Sequence, residues 1–384
     1  MNINKINNEG EKRVLYLVTD SSTANIFGVS QIEKLRSNGY KIYFVTSIGK
    51  LDEILKSNLE YIYQSPNLVR QISLLNDFKV LYQLLRIINS LKPSMIIYST
   101  PKAAFLGAIA SYILRIPIRI YQIWGARWQS KKGLTRWIII LTDLLTIKMS
   151  SSSLAVSKSL AQLYSNVTTA PIDVLDHASA KGIDNKIFFF DGRTTKIDSD
   201  SLNLGYLGRV ANDKGIQDIV ELIFRIQKKI PKVHLDIIGP LDESDSIPIG
   251  LQKQIRENTL IDWFDSLGPN EIPNIVRRWD LQVFLSRREG LGNSVIELGA
   301  CGVPTIGWDI VGLKDAVPDE LKYLLIPEGN MDLMESSVLR YFQKPLTIFE
   351  REKLSNWTLE NFDSDLVLTG FINYVNLKAE ILNA

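Results

Sequence analysis

The chain of 384 residues alternates short apolar runs with segments whose apolar residues recur every three or four positions. The run RVLYLVT (13–19) is typical of a strand buried on both faces of a sheet. The segment VLYQLLRIINSLKP (80–93) places a stripe of apolar residues on one face of a helix that Pro93 ends. Repeated strand–helix–strand units build a parallel sheet covered by helices on both faces. The sequence therefore predicts an α/β fold of the doubly wound, Rossmann-like type.

The alternation occurs in two blocks, separated by a segment of different composition. Residues 176–201 are polar and rich in turn-forming residues, apart from Ile187–Phe190. We therefore predict a first Rossmann-like domain over residues 1–175, a linker over 176–201 and a second Rossmann-like domain over 202–362. Residues 363–384 are predicted to form a helix that packs on the first domain. Two such domains facing each other leave a cleft at the carboxyl ends of their strands, where these folds bind ligands.

Composition argues against several classes of protein. The net charge of +2 is too small to favour nucleic-acid binding by bulk electrostatics. A single cysteine, Cys301, allows no intramolecular disulfide and favours a reducing cytoplasm, and with only two histidines a zinc cluster is not expected. No apolar run approaches the ~20 residues that cross a bilayer, and the longest, 103–114, is interpreted as a buried helix. Any contact with a membrane would therefore be peripheral.

Two basic residues follow the first strand of the predicted second domain. The segment GYLGRVANDKG (205–215) places Arg209 and Lys214 between a strand end and the next helix. The carboxyl edge of a parallel sheet faces the predicted cleft, and a planar guanidinium together with an ammonium suits a diphosphate. Two solvated basic residues in a loop are the commoner arrangement. Their position on the same sheet edge as Glu289 favours a role in binding.

The segment SRREGLGNSVIELGACGVP (286–304) brings two glutamates, Glu289 and Glu297, to either side of a glycine-rich turn. Gly290 and Gly292 allow a ligand to approach the backbone closely. The helix that follows directs backbone N–H groups and the positive end of its dipole outwards, which favours a phosphate. The two carboxylates would then accept hydrogen bonds from sugar hydroxyls at opposite ends of a diphosphate.

The same stretch also has a purely structural interpretation. The helix is predicted to begin near Asn293, and Ser294 with Glu297 has the spacing of a capping box. In that motif the serine and glutamate side chains satisfy backbone donors of the first turn. Glu297 would then stabilise the helix without contacting a ligand, and both interpretations stay open at this point.

Glu289 and Glu297 reproduce the Glu-x7-Glu motif of retaining glycosyltransferases with the GT-B fold, particularly family 4. Arg209 and Lys214 match that family's diphosphate-binding pair. Four further segments resemble those of bacterial capsule, exopolysaccharide and O-antigen transferases: RQISLLNDF (70–78), STPKAAFLG (99–107), IWGARWQSKKG (123–133) and KGID (181–184). The resemblance covers nearly the whole chain and implies a GT-B fold.

The resemblance also implies a role for each of these residues. Glu289 would contact the hydroxyl groups of the donor sugar, and Glu297 the ribose of the nucleotide. Arg209 and Lys214 would stabilise the leaving nucleotide as its charge develops. Four residues between the glutamates would bind the donor: Gly290, Gly292, Asn293 and Ser294. Family members need no bound metal for this chemistry, so no metal or cofactor is expected.

Candidate acceptor contacts in the first domain are Asp20, Lys102, Trp124, Gly125 and Arg127. Many family members carry a histidine at the position of Trp124, so the base for the acceptor is left unidentified. Retention by front-face attack needs no side-chain nucleophile, so the reaction itself does not depend on that histidine. Asp20 is better explained as a turn residue. His234, which alternates with apolar residues, is interpreted as structural, whereas His177 lies in the linker beside the predicted cleft.

The segment RWQSKKGLTRW (127–137) interleaves four basic residues with Trp128 and Trp137. This composition suits an anionic lipid interface or a lipid diphosphate. A solvated loop with two half-buried tryptophans explains it equally well. Because acceptors of the family are often polyprenyl-diphosphate sugars, the resemblance favours contact with a membrane.

Together these features predict a retaining, metal-independent glycosyltransferase that uses a nucleotide diphosphate sugar, a UDP-sugar in preference to a GDP-sugar. Its acceptor would be a polyprenyl-diphosphate-linked glycan of bacterial surface polysaccharide synthesis. The enzyme would be cytoplasmic, with peripheral contact at the inner face of the cell membrane. Two alternatives stay open: a sugar-nucleotide epimerase of the same fold, disfavoured by the few histidines, and a degenerate transferase that acts as a binding partner, which only Trp124 supports.

Overall fold

The structure, a computed structural model, describes residues 12–69, 71, 73–192 and 200–381. Within these residues the chain folds into two compact units. The first comprises Met1–Lys181 and Asp365–Ala384, and the second Gly182–Ser364. Arg70 and Ile72, which belong to one of the segments that carry the family resemblance, lie outside the described residues.

The sheet of the first unit contains seven parallel strands within the described part of the chain. In chain order they are β1 Arg13–Leu17, β2 Lys41–Ser47, β3 Tyr61–Ser65, β4 Met95–Ser99, β5 Ile118–Ile123, β6 Ser152–Ala155 and β7 Asp173–Val174. Their spatial order is β3-β2-β1-β4-β5-β6-β7. All five residues of β1 are buried, as its apolar run predicts. The order reverses between β1 and β4, which opens a crevice at their carboxyl ends.

Helices cover both faces of this sheet. They are α1 Ser21–Thr23, α2 Val29–Ser37, α3 Glu53–Ser57, α4 Leu74–Leu91, α5 Pro101–Ile113, α6 Gly133–Met149 and α7 Lys158–Ser165. A π-helical turn, Ala24–Gly28, joins α1 to α2, and a 3-10 turn, Arg127–Ser130, precedes α6. Helix α5, which corresponds to the predicted buried helix, packs between α4 and α6. Its neighbours α4 and α6 therefore lie on the same side of the sheet.

The second unit repeats this plan with six parallel strands among its described residues. They are β8 Ser201–Leu207, β9 Lys232–Ile238, β10 Ile261–Phe264, β11 Leu281–Phe284, β12 Thr305–Trp308 and β13 Leu325–Ile326, in the spatial order β10-β9-β8-β11-β12-β13. The helices are α8 Ile216–Gln227, α9 Ile249–Glu257, α10 Ile272–Val276, α11 Asn293–Ala300, α12 Leu313–Ala316, α13 Met331–Gln343 and α14 Ile348–Phe362. Short 3-10 turns are Asn212–Lys214, Glu243–Asp245 and Asp319–Leu324.

The last helix, α15 (Ser364–Glu380), returns to the first unit. Its side chains Phe371, Ile372 and Val375 belong to the buried core that contains Tyr16 and Ile97 of the first sheet. The C-terminal helix therefore completes the core of the first unit because burial of its apolar face removes these side chains from water.

The segment between the two sheets is divided differently from the predicted linker over residues 176–201. Residues up to Lys181 belong to the first unit, whereas Gly182 and the residues after it belong to the second. The N–H of Ile183 donates to the carbonyl of Phe362 at 2.8 Å, and the N–H of Ser364 donates to the carbonyl of Ile183 at 2.9 Å. These bonds anchor the start of the second unit to the end of α14, so the described residues after Lys181 are part of that unit's packing.

The architecture confirms the predicted α/β class with two Rossmann-like sheets. Strands β3, β7 and β10, at the sheet edges, have no buried apolar run of the kind that predicts β1, because few of their residues are buried. Among the residues that the structure describes, no helix is both long and apolar enough to cross a bilayer.

Candidate functional site

The candidate site of the second unit lies where β8 and β11 end. These strands are neighbours in the sheet, so the loops that follow them meet at its carboxyl edge. Gly215, after the β8 loop, has a positive φ of 70°, and a side-chain carbon there would lie 2.1 Å from the carbonyl oxygen of Leu285. Only glycine therefore lets the loop that carries Lys214 pack directly on the end of β11.

This packing brings together two of the predicted catalytic residues. The ammonium of Lys214 lies 2.5 Å from a carboxylate oxygen of Glu289, and each side chain is 15% exposed. A charge pair so largely withdrawn from water interacts more strongly than a pair on the surface. The pair places one positive and one negative group side by side at the sheet edge.

A second ion pair joins the same two loops. The guanidinium of Arg288 lies 2.9 Å from a carboxylate oxygen of Asp213, and the N–H of Arg287 donates to the carbonyl of Asp213 at 3.0 Å. The dipeptides Asp213-Lys214 and Arg288-Glu289 therefore meet with opposite charges aligned. Asp213 and Arg288 are not among the site residues predicted from the sequence, although the complementary charge order of the two dipeptides is a signal for them.

Arg209, the third predicted catalytic residue, is engaged elsewhere on the same edge. Its guanidinium pairs with Asp242, which also accepts hydrogen bonds from the N–H and hydroxyl of Ser244 at 2.9 and 2.6 Å. The carbonyl of Arg209 accepts a hydrogen bond from the hydroxyl of Tyr206 at 2.7 Å. Burial raises the pKa of Tyr206 well above its ordinary value, and the negative charge of Glu289 raises it further. Asp242 is a residue that the sequence analysis missed.

The helix after Glu289 begins without a side-chain cap. The N-cap position of α11 is Gly292, and no side chain caps the helix there. Ser294 lies inside the helix, where its hydroxyl oxygen accepts a hydrogen bond from the side-chain N–H of Gln282 at 3.5 Å. The capping-box interpretation of Ser294 and Glu297 is therefore wrong, because the helix starts two residues too early for it. Backbone donors at an uncapped helix start are suited to bind an anion.

The loop between Glu289 and α11 is held close to the loop after β12. Gly312 has a positive φ of 85°, and a side-chain carbon there would lie 2.7 Å from the carbonyl group of Gly290. The loop after β12 therefore needs glycine at position 312, where it touches the loop before α11. Beside them, the side-chain oxygen of Asn293 is buried without a hydrogen-bond partner among the described residues. A buried amide oxygen without a hydrogen-bond partner at a helix start is suited to accept a hydrogen bond from a ligand.

Glu297 lies on α11, one helical turn inside from Asn293, and its side chain is half-buried. The structure thus places Gly290, Gly292, Asn293, Ser294 and Glu297 on one loop and helix start, next to Glu289. Arg209 lies on the same edge of the sheet but is turned towards Asp242.

In the first unit, most predicted acceptor contacts lie at the carboxyl edge of the sheet. Asp20 follows β1 and caps α1, accepting hydrogen bonds from the N–H and hydroxyl of Thr23 at 3.0 and 2.9 Å, so its turn role is observed. Trp124 and Gly125 follow β5, and the ring of Trp124 packs against Phe27 with centroids 5.1 Å apart.

The remaining acceptor candidates differ in their surroundings. Arg127 is exposed at the start of the 3-10 turn before α6. Lys102 is largely buried, and its ammonium lies 2.8 Å from a carboxylate oxygen of Asp77, so it ties α5 to α4. His177 lines a surface groove of the first unit together with Asp365 and Tyr374.

His234 of β9 lies beside Asp236 of the same strand and Asp262 of β10. Among the described residues these three side chains form a group able to hold a metal ion. The Nε2 atom of His234 is 3.3 Å from Asp236 and 3.2 Å from Asp262. Asp236, however, is buried and accepts a bidentate pair from Arg278 at 2.8 and 3.0 Å and the indole N–H of Trp279 at 2.6 Å. Its lone pairs are thus already used, which fits a structural network better than a metal site.

Comparison with known proteins defines the class. Residues 189–358 match the family described as glycosyl transferases group 1. The chain is 28% identical over 347 residues to the capsular polysaccharide biosynthesis glycosyltransferase CapM of Staphylococcus aureus, covering 85% of this chain and 87% of that protein. It is 22% identical over 314 residues to the Escherichia coli UDP-Gal:alpha-D-GlcNAc-diphosphoundecaprenol alpha-1,3-galactosyltransferase, covering 76% and 77% respectively.

The fold is shared with solved glycosyltransferase structures. The structure superposes on Anabaena Alr3699/HepE, solved in complex with UDP and glucose, with a TM-score of 0.73 at 17% identity, covering 95% of this chain and 100% of the other. The two Rossmann-like units are thus those of the GT-B fold. Residues 189–358 thus match the group 1 glycosyltransferase family, and most of the chain is similar to a glycosyltransferase of bacterial capsule synthesis, which supports a transferase enzyme. The family resemblance expected from the sequence is confirmed at this level.

Proposed function

We propose that the protein is a retaining, metal-independent transferase of family 4 that takes its sugar from a nucleotide diphosphate donor, a UDP-sugar in preference to a GDP-sugar. The observation that carries the proposal is the Lys214–Glu289 pair at 2.5 Å beside the uncapped start of α11. This arrangement offers an anion site, a fixed cation and a hydrogen-bond acceptor on one sheet edge.

The donor would bind with its diphosphate at the start of α11. Backbone N–H groups at Asn293 and Ser294 would contact phosphate oxygens, as the helix dipole favours negative charge there. Lys214 and Arg209 would add the two cations that stabilise the departing nucleotide diphosphate. For this, Arg209 must turn from Asp242 and Lys214 must share its charge between Glu289 and the diphosphate.

Glu289 would accept hydrogen bonds from hydroxyl groups of the transferred sugar. Glu297, one helical turn after Asn293, would accept hydrogen bonds from the ribose. Because neither carboxylate serves as a nucleophile, the acceptor hydroxyl would attack from the face that the nucleotide leaves, which retains the anomeric configuration. The bond between the anomeric carbon and the diphosphate breaks, the bond to the acceptor oxygen forms, and the acceptor's proton passes to the departing diphosphate.

The acceptor would be a polyprenyl-diphosphate-linked glycan of a bacterial surface polysaccharide. Support comes from the relatives, one of which is named for capsule synthesis and another for a diphosphoundecaprenol acceptor. The carboxyl edge of the first sheet, with Asp20, Trp124 and Arg127, is the proposed acceptor side. The enzyme would work in the cytoplasm, touching the membrane through residues 127–137.

Two other functions are distinguishable. A sugar-nucleotide epimerase would need acid–base groups around the hexose, whereas His234 of β9 is held by Asp236 of the same strand and Asp262 of β10. A degenerate transferase that only binds a partner would not need the two complementary ion pairs that join the β8 and β11 loops. Neither alternative has a structural observation in its favour beyond the fold and Trp124.

Thermal unfolding with UDP, GDP and their sugars tests the donor site. A nucleotide at a hundred times its Kd should add about 2.7 kcal/mol of stability, because it binds only the native state. A chelator should leave both the shift and the transfer unchanged. Absence of any shift across the panel contradicts the donor site, and conversion of the donor to its epimer without acceptor favours the epimerase. Product with inverted anomeric configuration by NMR contradicts the retaining mechanism.

A further inference from the structure

Helix α6 of the first unit presents an apolar stripe to solvent. Its exposed apolar residues recur every three or four positions along the helix: Leu134, Trp137, Ile138, Leu141 and Leu145. The residues that α6 buries, among them Ile140 and Ile147, lie on the opposite side. The stripe therefore points away from the protein, where an ordinary surface helix carries polar residues.

Helix α4 carries a second stripe of the same kind. Its exposed apolar residues are Leu74, Leu75, Phe78 and Tyr82, and Phe78 is 70% exposed. The buried side of α4 is a separate stripe: Val80, Leu84, Ile88 and Leu91. Helix α4 is therefore apolar on two faces, although only one of them meets the core.

The two stripes lie on the same side of the first sheet, because α4 and α6 flank α5. Both helices follow strands of one parallel sheet, so their first turns lie at its carboxyl edge. The exposed apolar residues of α4 all belong to the first half of that helix, and most of those of α6 do as well. Together they form what we call the α4/α6 face, which is larger than the scattered apolar residues of a typical surface.

The charges around this face have one sign. Exposed basic residues on or next to the two helices are Lys79, Arg86, Lys92, Lys131, Lys132, Arg136 and Lys148. The two helices contain two acidic residues, and both are engaged. Asp77 pairs with Lys102, and buried Asp143 accepts a hydrogen bond from the hydroxyl of Tyr164 at 2.7 Å. No exposed carboxylate on either helix therefore offsets the positive charge.

We propose that the α4/α6 face is the docking surface for an anionic lipid membrane. An apolar surface inserts into the acyl boundary while basic side chains at its rim meet anionic headgroups. Trp137 and Tyr82 are of the residue types that favour the membrane interface. A protein partner would more commonly be met by a polar rim of mixed charge. The inference rests on the proposed transfer to a lipid-linked acceptor for its purpose, but it depends only on the first unit.

Docking in this way also sets an orientation. Because the stripes lie near the first turns of α4 and α6, the carboxyl edge of the first sheet would be held close to the bilayer. Asp20, Trp124 and Arg127 lie at that edge. The diphosphate head of a lipid-linked acceptor would then reach these residues without leaving the membrane surface.

Flotation with vesicles tests the proposal on the full chain. The protein should bind vesicles of phosphatidylcholine with phosphatidylglycerol, and bind phosphatidylcholine alone only weakly. Phe78→Ser and Trp137→Ser each remove an exposed ring, so neither should unfold the protein, and each should weaken binding on the order of tenfold. Lys131→Gln and Lys132→Gln should each weaken it about fivefold and flatten its dependence on salt. Phe349→Ser, the same change at a 62% exposed site of the second unit, is the matched control and should bind as the unchanged protein does.

Equal binding to both kinds of vesicle, or unchanged binding of the Phe78 and Trp137 variants, overturns the proposal. Conversion of an oligomer to a monomer by Phe78→Ser, without a change in vesicle binding, also overturns it and makes the face a protein interface. The thermal shift with UDP, measured on the same variants, separates the two proposals. If UDP still raises the unfolding temperature and the variants bind vesicles as the unchanged protein does, only the docking surface is contradicted. If the vesicle results are as expected but no nucleotide raises the unfolding temperature, only the donor site is contradicted.

Discussion

Lys214 and Glu289 are 75 residues apart in the chain, yet their side chains meet at 2.5 Å on the carboxyl edge of the second sheet. The pair depends on Gly215, which lets the β8 loop lie against β11, and on the adjacent Asp213–Arg288 pair. Two neighbouring strand ends thus supply the cation and the carboxylate that a nucleotide-sugar donor would use.

Substitution of Glu289 by glutamine should reduce sugar transfer by about 10²–10³-fold, because the neutral amide loses the charge-assisted hydrogen bonds to the sugar. The side chain keeps its shape, so the far-ultraviolet circular dichroism should stay unchanged. Glu335→Gln, which removes a similarly buried carboxylate that pairs with Arg225 and Lys229, is the control and should transfer normally. A transfer rate of Glu289→Gln within twofold of that of the unchanged enzyme would contradict a role for Glu289 in the reaction.

Asp242→Asn should tighten the binding of UDP several-fold. In the structure the guanidinium of Arg209 is occupied by Asp242, which a diphosphate must displace. Loss of that carboxylate frees the cation and makes the local potential more positive, so the affinity should also become more sensitive to salt. Calorimetric titration measures both effects. Weaker binding by the variant would show instead that Asp242 holds Arg209 in its binding position.

Asp213→Asn and Arg288→Gln should each weaken UDP binding by several-fold, and the double variant should be no worse than either single one. The two residues join the loops that carry Lys214 and Glu289, so either change loosens the same contact. A double-mutant cycle by calorimetry measures the coupling. Additive losses would mean that the two residues act independently of each other.

Ser294→Ala should leave stability within about 0.5 kcal/mol of the original, because Ser294 does not cap α11. Thr347 is the matched positive control, since it forms a complete capping box with Glu350 at the start of α14. Thr347→Ala should cost about 1 kcal/mol. Urea denaturation followed by circular dichroism compares the two variants. An equal loss of unfolding free energy in both would show that Ser294 does cap α11.

His234 should titrate above its ordinary range. The hydrogen bond to Asp236 raises the pKa of His234 above 6.5, and the charges of Asp236 and Asp262 raise it further, against the effects of burial and of Arg278. The protonated form therefore stabilises the folded state below about pH 6.5. This stabilisation is lost as the pH rises through the pKa of the folded state. Thermal unfolding of His234→Gln should lack this part of the pH dependence, and an NMR titration with a pKa below 6.5 would contradict the sign.

Much of the fold follows from local patterns. Strands such as β1 and β8 are buried apolar runs, and α4 and α8 have regular apolar stripes, so the alternation predicts two parallel sheets. The edge strands β3, β7 and β10 carry a weaker apolar signal, because they are partly exposed. The predicted linker over residues 176–201 contains the boundary between the two units, but its polar composition does not reveal that Ile183 pairs with the end of α14.

For the site, the sequence by itself determined which residue types stand at each strand end: Arg209 and Lys214 after β8, Glu289 after β11, and glycines before α11. A strand ends where its apolar run ends, so these positions are local properties. Tertiary structure alone decided which charges meet, since Lys214 joins Glu289 and Arg209 joins Asp242 across large separations in the chain. It also decided that Ser294 is no cap and that α4 and α6 expose their apolar stripes. Contacts of this kind depend on how distant elements pack, which a local pattern of residues does not encode.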